Sequence, residues 1–149
     1  MAGYFSIGIE NNKTKFNIGT LWRSSYLFEA SYIFTINQRY KKQSSDTQKT
    51  WRQIPLFNYD SLDDLEIPYD CKLVGVELTD SAIDLNEYKH PKRAIYLLGA
   101  EDHGLTKKAT EKCHEIIKIP YPKEQSMNVA VAGSIIMYDR YIKSLNKEN

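Results

Sequence analysis

The feature that most constrains the fold of this chain is a nearly continuous apolar run, Ala94-Ile95-Tyr96-Leu97-Leu98, which ends at Gly99. A short apolar run of this kind is expected of a strand that is buried on both faces of a parallel sheet. The run therefore predicts a sheet with other elements packed against both of its sides.

The rest of the chain alternates between strand patterns and helix patterns. Strands are predicted at residues 4–9, 32–36, 54–57, 72–77, 94–98 and 115–119, helices from Asn17, over 105–112 and from Asn128 to about Leu145, and a capped helical turn at 61–65. Residues 40–50 are polar and aperiodic, which predicts an exposed, mobile loop. Alternating strands and helices predict an α/β fold, with a mostly parallel sheet flanked by helices.

Length and composition predict one soluble domain. The chain has 149 residues, of which 42% are hydrophobic, enough for a single buried core. The sequence begins without a signal-peptide pattern and has no apolar stretch long enough to span a membrane, which favours the cytoplasm. Cys71 and Cys113 lack the spacing of a zinc site or a disulfide framework, so reduced, structural thiols are expected.

Basic charge is concentrated in the first third of the chain. Residues 1–53 carry eight Lys or Arg against three acids, a net +5, whereas residues 54–149 carry twelve against sixteen, a net −4. This distribution fits either a face that contacts phosphates or an unevenly charged, solvated surface.

The segment Gly99-Ala100-Glu101-Asp102-His103-Gly104 has the glycine spacing of a nucleotide-binding P-loop, but Leu105 stands where that motif needs Lys. Nucleotide hydrolysis is therefore poorly supported. A glycine-bracketed loop at the end of a strand is still the place where open α/β sheets bind ligands.

Near the last predicted helix, Ser126 and Asn128 occupy positions where such residues cap free backbone N–H groups. The small residues that follow, 129–134, favour close packing against another element. Taken alone, this segment indicates helix packing rather than catalysis.

Three blocks in order change that interpretation: Asn17-x-Gly19-x-x-x-Arg23, Leu98-Gly99-x-Glu101-x-x-Gly104-Leu105, and Ile119-Pro120 followed by Ser126-Met127-Asn128-Val129-Ala130. Together they resemble the TrmH (SpoU) branch of the SPOUT RNA methyltransferases, and the resemblance covers nearly the whole chain as one SPOUT domain, 1–149. It implies a C-terminal trefoil knot, a homodimer, S-adenosylmethionine as cofactor, no metal, and methylation of a ribose 2′-hydroxyl in RNA.

The resemblance also assigns residues by position. It places Leu78, Leu98, Gly99, Ile119 and Ser126 at the cofactor, Arg23 as the catalytic arginine, and Asn17, Glu101, Ser126 and Asn128 in the active site. We hypothesise that Arg23 holds a phosphate and polarises the 2′-oxygen, because a guanidinium is a poor base, with proton removal shared by Ser126, Asn128 or water. Tyr121-Pro122 departs from related sequences, so the cofactor pocket is expected to differ in detail.

Several alternatives stay open at the level of sequence. The segments 74–79 and 84–88 resemble enzymes that methylate guanosine in the tRNA D-loop, which favours tRNA, with rRNA as the second substrate. A catalytically silent RNA- or cofactor-binding module is the alternative from another class. His90, His103 and His114 match no catalytic position and are expected at the surface or in capping roles.

Overall fold

The computed structural model describes residues 3–39 and 53–147, and its centre is one seven-stranded sheet. The strands are β1 (Tyr4–Glu10), β2 (Tyr32–Ile36), β3 (Leu56–Tyr59), β4 (Lys72–Val76), β5 (Ile83–Asp84), β6 (Arg93–Gly99) and β7 (Glu115–Lys118). The helices are α1 (Lys15–Leu27), α2 (Lys107–Lys112) and α3 (Val129–Lys147), with short 3₁₀ turns at Leu62–Asp64 and Leu85–Glu87. The strand order is β3-β2-β1-β6-β4-β7-β5, and each of these neighbouring pairs is parallel.

The central strand β6 is buried on both faces, as the apolar run predicts. Ala94, Tyr96 and Leu98 point into one core, which α1 and α3 cover. Ile95 and Leu97 point into a second core, which α2 and the first 3₁₀ turn cover. Because successive side chains of a strand alternate between faces, a continuous apolar run needs two cores, and the α/β prediction is confirmed.

Some predicted boundaries shift for local reasons. Strand β3 begins at Leu56 rather than at Ile54, because Ile54 is buried beside α1 and its carbonyl accepts a hydrogen bond from the Trp22 indole at 3.1 Å. Helix α2 begins at Lys107 rather than at Leu105, because the Thr106 hydroxyl caps it by accepting from the Ala109 N–H. The loop predicted at residues 40–50 lies outside the described residues.

The small residues at the start of α3 pack closely within the same chain. A Cβ atom added at Gly133 would lie 2.6 Å from a methyl carbon of Leu21 on α1 and 3.0 Å from one of Leu98. The contact between α1 and α3 also includes a hydrogen bond, since the Ser134 hydroxyl donates to the Ser24 hydroxyl at 2.8 Å. The expected close helix packing is confirmed, with α1 as the partner.

The expectation for His90 was wrong, because its side chain is buried rather than at the surface. Its Nδ1 lies 2.7 Å from the Tyr96 hydroxyl and its Nε2 lies 2.7 Å from Asp139 Oδ2. Burial, more than any other effect, lowers the pKa of His90 to about 4. A neutral ring satisfies both contacts, since Tyr96 donates to Nδ1 while Nε2–H donates to Asp139. The network holds α3 against β6.

The other two histidines match the expectation. His114 Nδ1 accepts from the backbone N–H of Leu73 at 2.9 Å, and His103 is exposed. Both cysteines are free, and burial raises the pKa of the Cys113 thiol to about 11. Among the helices of residues 3–39 and 53–147, none combines the length and apolarity needed to cross a bilayer.

Candidate active site

Two adjoining cavities lie where β1, β4 and β6 end. The first has a volume of about 360 Å³ and is formed by residues that follow β4, β6 and β7 and by the start of α3. The second has a volume of about 600 Å³ and lies beside the turn between β1 and α1. Five residues line both cavities: Ala100, Glu101, Asp102, Ser126 and Val129. This position agrees with the rule that open α/β sheets bind ligands beyond the carboxyl ends of their strands.

The wall of the first cavity is a tight turn after β6. Gly104 has φ +66°, and its N–H donates to the Ala100 carbonyl at 2.7 Å. A Cβ atom added at Gly99 would lie 2.3 Å from the carbonyl carbon of Gly104, so only glycine fits there. Glu77 accepts from the Leu105 N–H at 2.6 Å and thereby ties this turn to the end of β4.

Glu10, the last residue of β1, anchors the end of the same loop. Its buried carboxylate accepts from both the backbone N–H and the hydroxyl of Thr106, each at 2.8 Å. The loop thus enters α2 from a fixed point, and the cavity walls are preorganised.

Asn128 joins the three segments that surround the second cavity. Its Nδ2 donates to Asn17 Oδ1 at 3.1 Å and to Glu101 Oε1 at 3.0 Å. Its Oδ1 accepts from the N–H groups of Ala130 and Val131, which is the geometry of a helix N-cap. One side chain therefore caps α3 and fixes both Asn17 and Glu101.

Arg39 makes a second connection across the same rim. Its guanidinium forms two hydrogen bonds with the Asp102 carboxylate, at 3.0 and 2.7 Å, and its Nε donates to the Asn11 carbonyl at 2.8 Å. The hydrogen bonds from Arg39 hold the pKa of Asp102 well below its usual range. Asp102 is thus an anchor for the loop and a poor proton acceptor.

The residues assigned by resemblance fall into two groups. All five cofactor assignments line the first cavity: Leu78, Leu98, Gly99, Ile119 and Ser126. Of the catalytic assignments, Asn17 and Asn128 line the second cavity, whereas Glu101 and Ser126 line both.

Arg23 lines neither cavity and is exposed on α1. Being six residues beyond Asn17, it lies about 9 Å further along the helix axis and about 120° around it. Arg23 is therefore outside the two cavities of its own chain that the other assigned residues line.

Sequence reasoning missed several residues of the site. Glu77 and Arg39 fix its loops, and Phe16 lines the second cavity. Tyr121, where the cofactor pocket was expected to differ in detail, does line the first cavity, and its hydroxyl donates to the Gln125 carbonyl at 2.6 Å. The position of Phe16 was a usable signal, since a large aromatic residue stands directly before Asn17, the first residue of the first sequence block. Arg39 and Glu77 contact residues that are too distant in sequence for any local pattern to reveal these contacts.

The first cavity combines an apolar wall with charges of both signs. Leu78, Leu98 and Ile119 supply carbon surface, whereas Glu77 and Lys118 supply charge. Such a site suits an amphiphilic small molecule with an aromatic part and a charged part. Within the described ranges, no three His, Cys, Asp or Glu side chains are grouped so that they could hold a metal ion.

Comparison with known proteins agrees with this geometry. The model of the SpoU rRNA Methylase family matches residues 4–138. The tRNA (guanosine(18)-2′-O)-methyltransferase of Escherichia coli K12 is 32% identical over 69 residues, 46% of this chain and 30% of that protein. The 23S rRNA (guanosine-2′-O-)-methyltransferase RlmB of Acinetobacter baylyi is 32% identical over 69 residues, 46% of this chain and 28% of that protein. In both cases the match covers less than a third of the relative's length.

Solved structures show the same fold. A protein studied for the 2-OH methylation of C/U34 on tRNA superposes with a TM-score of 0.86 at 19% identity, covering 98% of this chain and 99% of that one. The SpoU methyltransferase AviRb of Streptomyces viridochromogenes, in complex with AdoMet, gives 0.84 at 17% identity, covering 97% and 59%. With a family model that matches nearly its whole length, this chain belongs to the SpoU methylase family.

Proposed function

We propose that this chain transfers the methyl group of S-adenosylmethionine to a ribose 2′-hydroxyl of RNA, with tRNA as the favoured substrate. Membership of the SpoU family supports the reaction. The E. coli relative, named for guanosine in tRNA, and the neighbour of matching length, studied on tRNA, favour that substrate. We propose further that residues 1–149 form one SPOUT domain, which carries the C-terminal knot and works in the cytoplasm.

The observation that carries the proposal is the meeting of the two cavities at Glu101 and Ser126. A transferase must hold two molecules so that their reacting atoms touch. Two cavities with a shared wall satisfy this requirement, because each can take one molecule and the reaction can occur at the junction. Such alignment supplies several kcal/mol of the rate enhancement, on the order of what intramolecular reactions gain.

The first cavity fits S-adenosylmethionine. Its volume of about 360 Å³ lies in the range of small-molecule sites. Leu78, Leu98 and Ile119 offer apolar contact for an adenosine moiety, and the carboxylates of Glu77 and Glu101 suit a positive charge. When bound, this cofactor supplies a methyl group activated by a sulfonium centre.

In the second cavity, we assign Asn17, Glu101 and Asn128 to orienting the ribose. Asn128 is not the proton acceptor, because its amide is neutral and its oxygen already accepts two helix N–H bonds. The 2′-hydroxyl proton then passes to water or through Ser126, while Arg23 polarises the oxygen and binds a neighbouring phosphate. Each methyl transfer forms one carbon–oxygen bond, breaks one carbon–sulfur bond and releases one proton.

Since Arg23 lines neither cavity of its own chain, we infer that it serves the cavities of a second copy in a homodimer. An apolar face on α1 and α3 supports this assembly. It consists of exposed side chains seven residues apart on α3, Val131, Tyr138 and Leu145, together with Leu27, which is exposed at the end of α1. A face of this kind on a small protein is typical of a protein–protein contact. We call it the apolar face.

Ribosomal RNA is the second candidate substrate, because the RlmB relative is named for 23S rRNA and matches over an equal length. The test is transfer of labelled methyl from S-adenosylmethionine to tRNA and, separately, to rRNA from cells that lack this gene. The proposal expects label in tRNA, little in rRNA, and none with Arg23→Ala although that variant still binds the cofactor. Label in rRNA alone selects the second candidate. Label in neither, with cofactor bound, points to a silent module.

A further inference from the structure

Phe16 is an aromatic side chain that the core leaves in solvent. It lies in the first turn of α1 and is 79% exposed, whereas Ile18, Leu21 and Trp22 of the same helix are buried. A phenylalanine of this exposure forgoes about 1.5–3 kcal/mol that burial would provide. Its ring is therefore available for a contact outside the folded chain.

The contact that the structure offers is the second cavity. Phe16 is its only aromatic lining residue in the described part of the chain, and it does not line the first cavity. Most of the other lining residues are polar, including Lys13, Thr14, Asn17 and Asn128. A polar cavity with one aromatic wall is suited to a flat, polar-edged ring, which is the shape of a nucleobase.

The backbone that carries Phe16 is held in place before any ligand binds. The Asn12 side chain donates to the Thr14 carbonyl at 2.7 Å, and the Asn12 carbonyl accepts from the Arg39 N–H at 2.9 Å. Arg39 is in turn bonded to Asp102 on the opposite rim. The aromatic ring is therefore presented from a fixed turn, which lowers the ordering cost of stacking.

The charges beside Phe16 suit RNA. Lys13 lines the cavity, and Lys15 is exposed two residues further along. Among the nearby carboxylates, Asp102 is paired with Arg39 and Glu101 accepts from Asn128. Cations beside an aromatic surface are what single-stranded nucleic acid binds, with phosphates on the cations and bases on the rings.

We propose that Phe16 is the stacking platform for the base of the nucleotide whose ribose is methylated. The inference rests on the proposed function, since it needs a ribose at the junction of the cavities and a base that extends from there into the second cavity. Phe16 is a positioning residue in this account. It orients the nucleotide and takes no part in bond making.

The test compares the wild type with Phe16→Ala, Phe16→Trp and the control Tyr69→Ala, which removes an aromatic side chain that is 96% exposed and lines neither cavity. The RNA is the pool that the wild type methylates. Phe16→Ala is expected to raise the KM for RNA about tenfold or more, in line with stacking on one aromatic side chain. Phe16→Trp is expected to restore wild-type KM, and Tyr69→Ala to leave it unchanged.

Two further readouts separate stacking from folding and assembly. Cofactor affinity by calorimetry and molar mass by light scattering should be the same in all four proteins. An unchanged KM in Phe16→Ala, a KM in Phe16→Trp as high as in Phe16→Ala, or a change of oligomeric state in Phe16→Ala would each overturn the role. A wild type that methylates no RNA removes the proposed function itself, so the two failures are distinguishable.

Discussion

Asn128 donates its side-chain amide to the carboxylate of Glu101 at 3.0 Å, although 27 positions separate the two residues in the chain. The bond joins the loop after β6 to the first turn of α3. With Asn17 at 3.1 Å on the same nitrogen, one group connects all three sequence blocks. The active site proposed here depends on that connection.

Asn128→Asp separates the two tasks of this side chain. An aspartate still caps α3 by accepting from Ala130 and Val131, so the free energy of unfolding should change by less than about 1 kcal/mol. It cannot donate to Asn17 and Glu101, and it places two carboxylates together. Turnover should fall about 100-fold, the scale of a misplaced catalytic group, measured as single-turnover methyl transfer. Near-normal turnover in a well-folded variant would contradict the assignment.

Gly99→Ala should block the first cavity. The new methyl group would lie 2.3 Å from the Gly104 carbonyl carbon and force the turn outward, which costs about 1–3 kcal/mol as overpacking does. Cofactor affinity, measured by calorimetry, should fall about tenfold or more. The matched control for stability is Gly19→Ala in α1, where an added Cβ meets nothing within 4 Å. That change should stabilise the chain by up to about 1 kcal/mol. Unchanged cofactor affinity in Gly99→Ala would refute the placement of the cofactor.

Tyr138→Asp tests the apolar face. Tyr138 is 56% exposed in the single chain, so a charge there costs little in the monomer but much in a dimer contact. Light scattering should show a dimer for the wild type and a monomer for the variant, and methyl transfer should be lost with Arg23 displaced. Tyr69→Asp, at an exposed site away from that face, serves as the control. A wild type that is monomeric and active would exclude the dimeric site.

His90 predicts a defined pH dependence of stability. The folded pKa of His90, about 4, lies below the unfolded value of 6.5. Between pH 6.5 and pH 4 the unfolded chain therefore binds a proton at His90 that the folded chain does not bind. Stability is therefore complete above the unfolded pKa and falls as the pH drops towards 4. Denaturant titrations should show a loss of about 2 kcal/mol between pH 7 and pH 5. His90→Gln should remove this component, and an identical pH profile in the variant would show that His90 does not titrate as described.

Strands could be predicted where their burial produces an apolar pattern in the amino-acid sequence. Ala94–Leu98 is apolar throughout because β6 lies between two cores, and the alternation of strands and helices was sufficient for the α/β class. The order of the strands was not predictable from periodicity, since residues of one strand carry no record of which strand lies beside them. The resemblance to a family, rather than local pattern, supplied the site residues.

Long-range polar contacts were beyond sequence reasoning. Arg39 and Asp102 are 63 positions apart and partly exposed, so neither shows periodicity or an apolar context. His90 matches no catalytic position and was therefore expected at the surface or in a capping role, yet Tyr96 and Asp139 satisfy both ring nitrogens in the interior. Only the folded arrangement reveals such partners.

The most direct test of the central claim is the position of the transferred methyl group. RNA labelled by the wild type is hydrolysed with alkali, which cleaves next to a free 2′-hydroxyl but not next to a methylated one. The account predicts label in alkali-resistant dinucleotides from one site, and no label when Arg23→Ala replaces the wild type. Label recovered in mononucleotides would place the methyl group on a base and contradict ribose methylation at the junction of the two cavities.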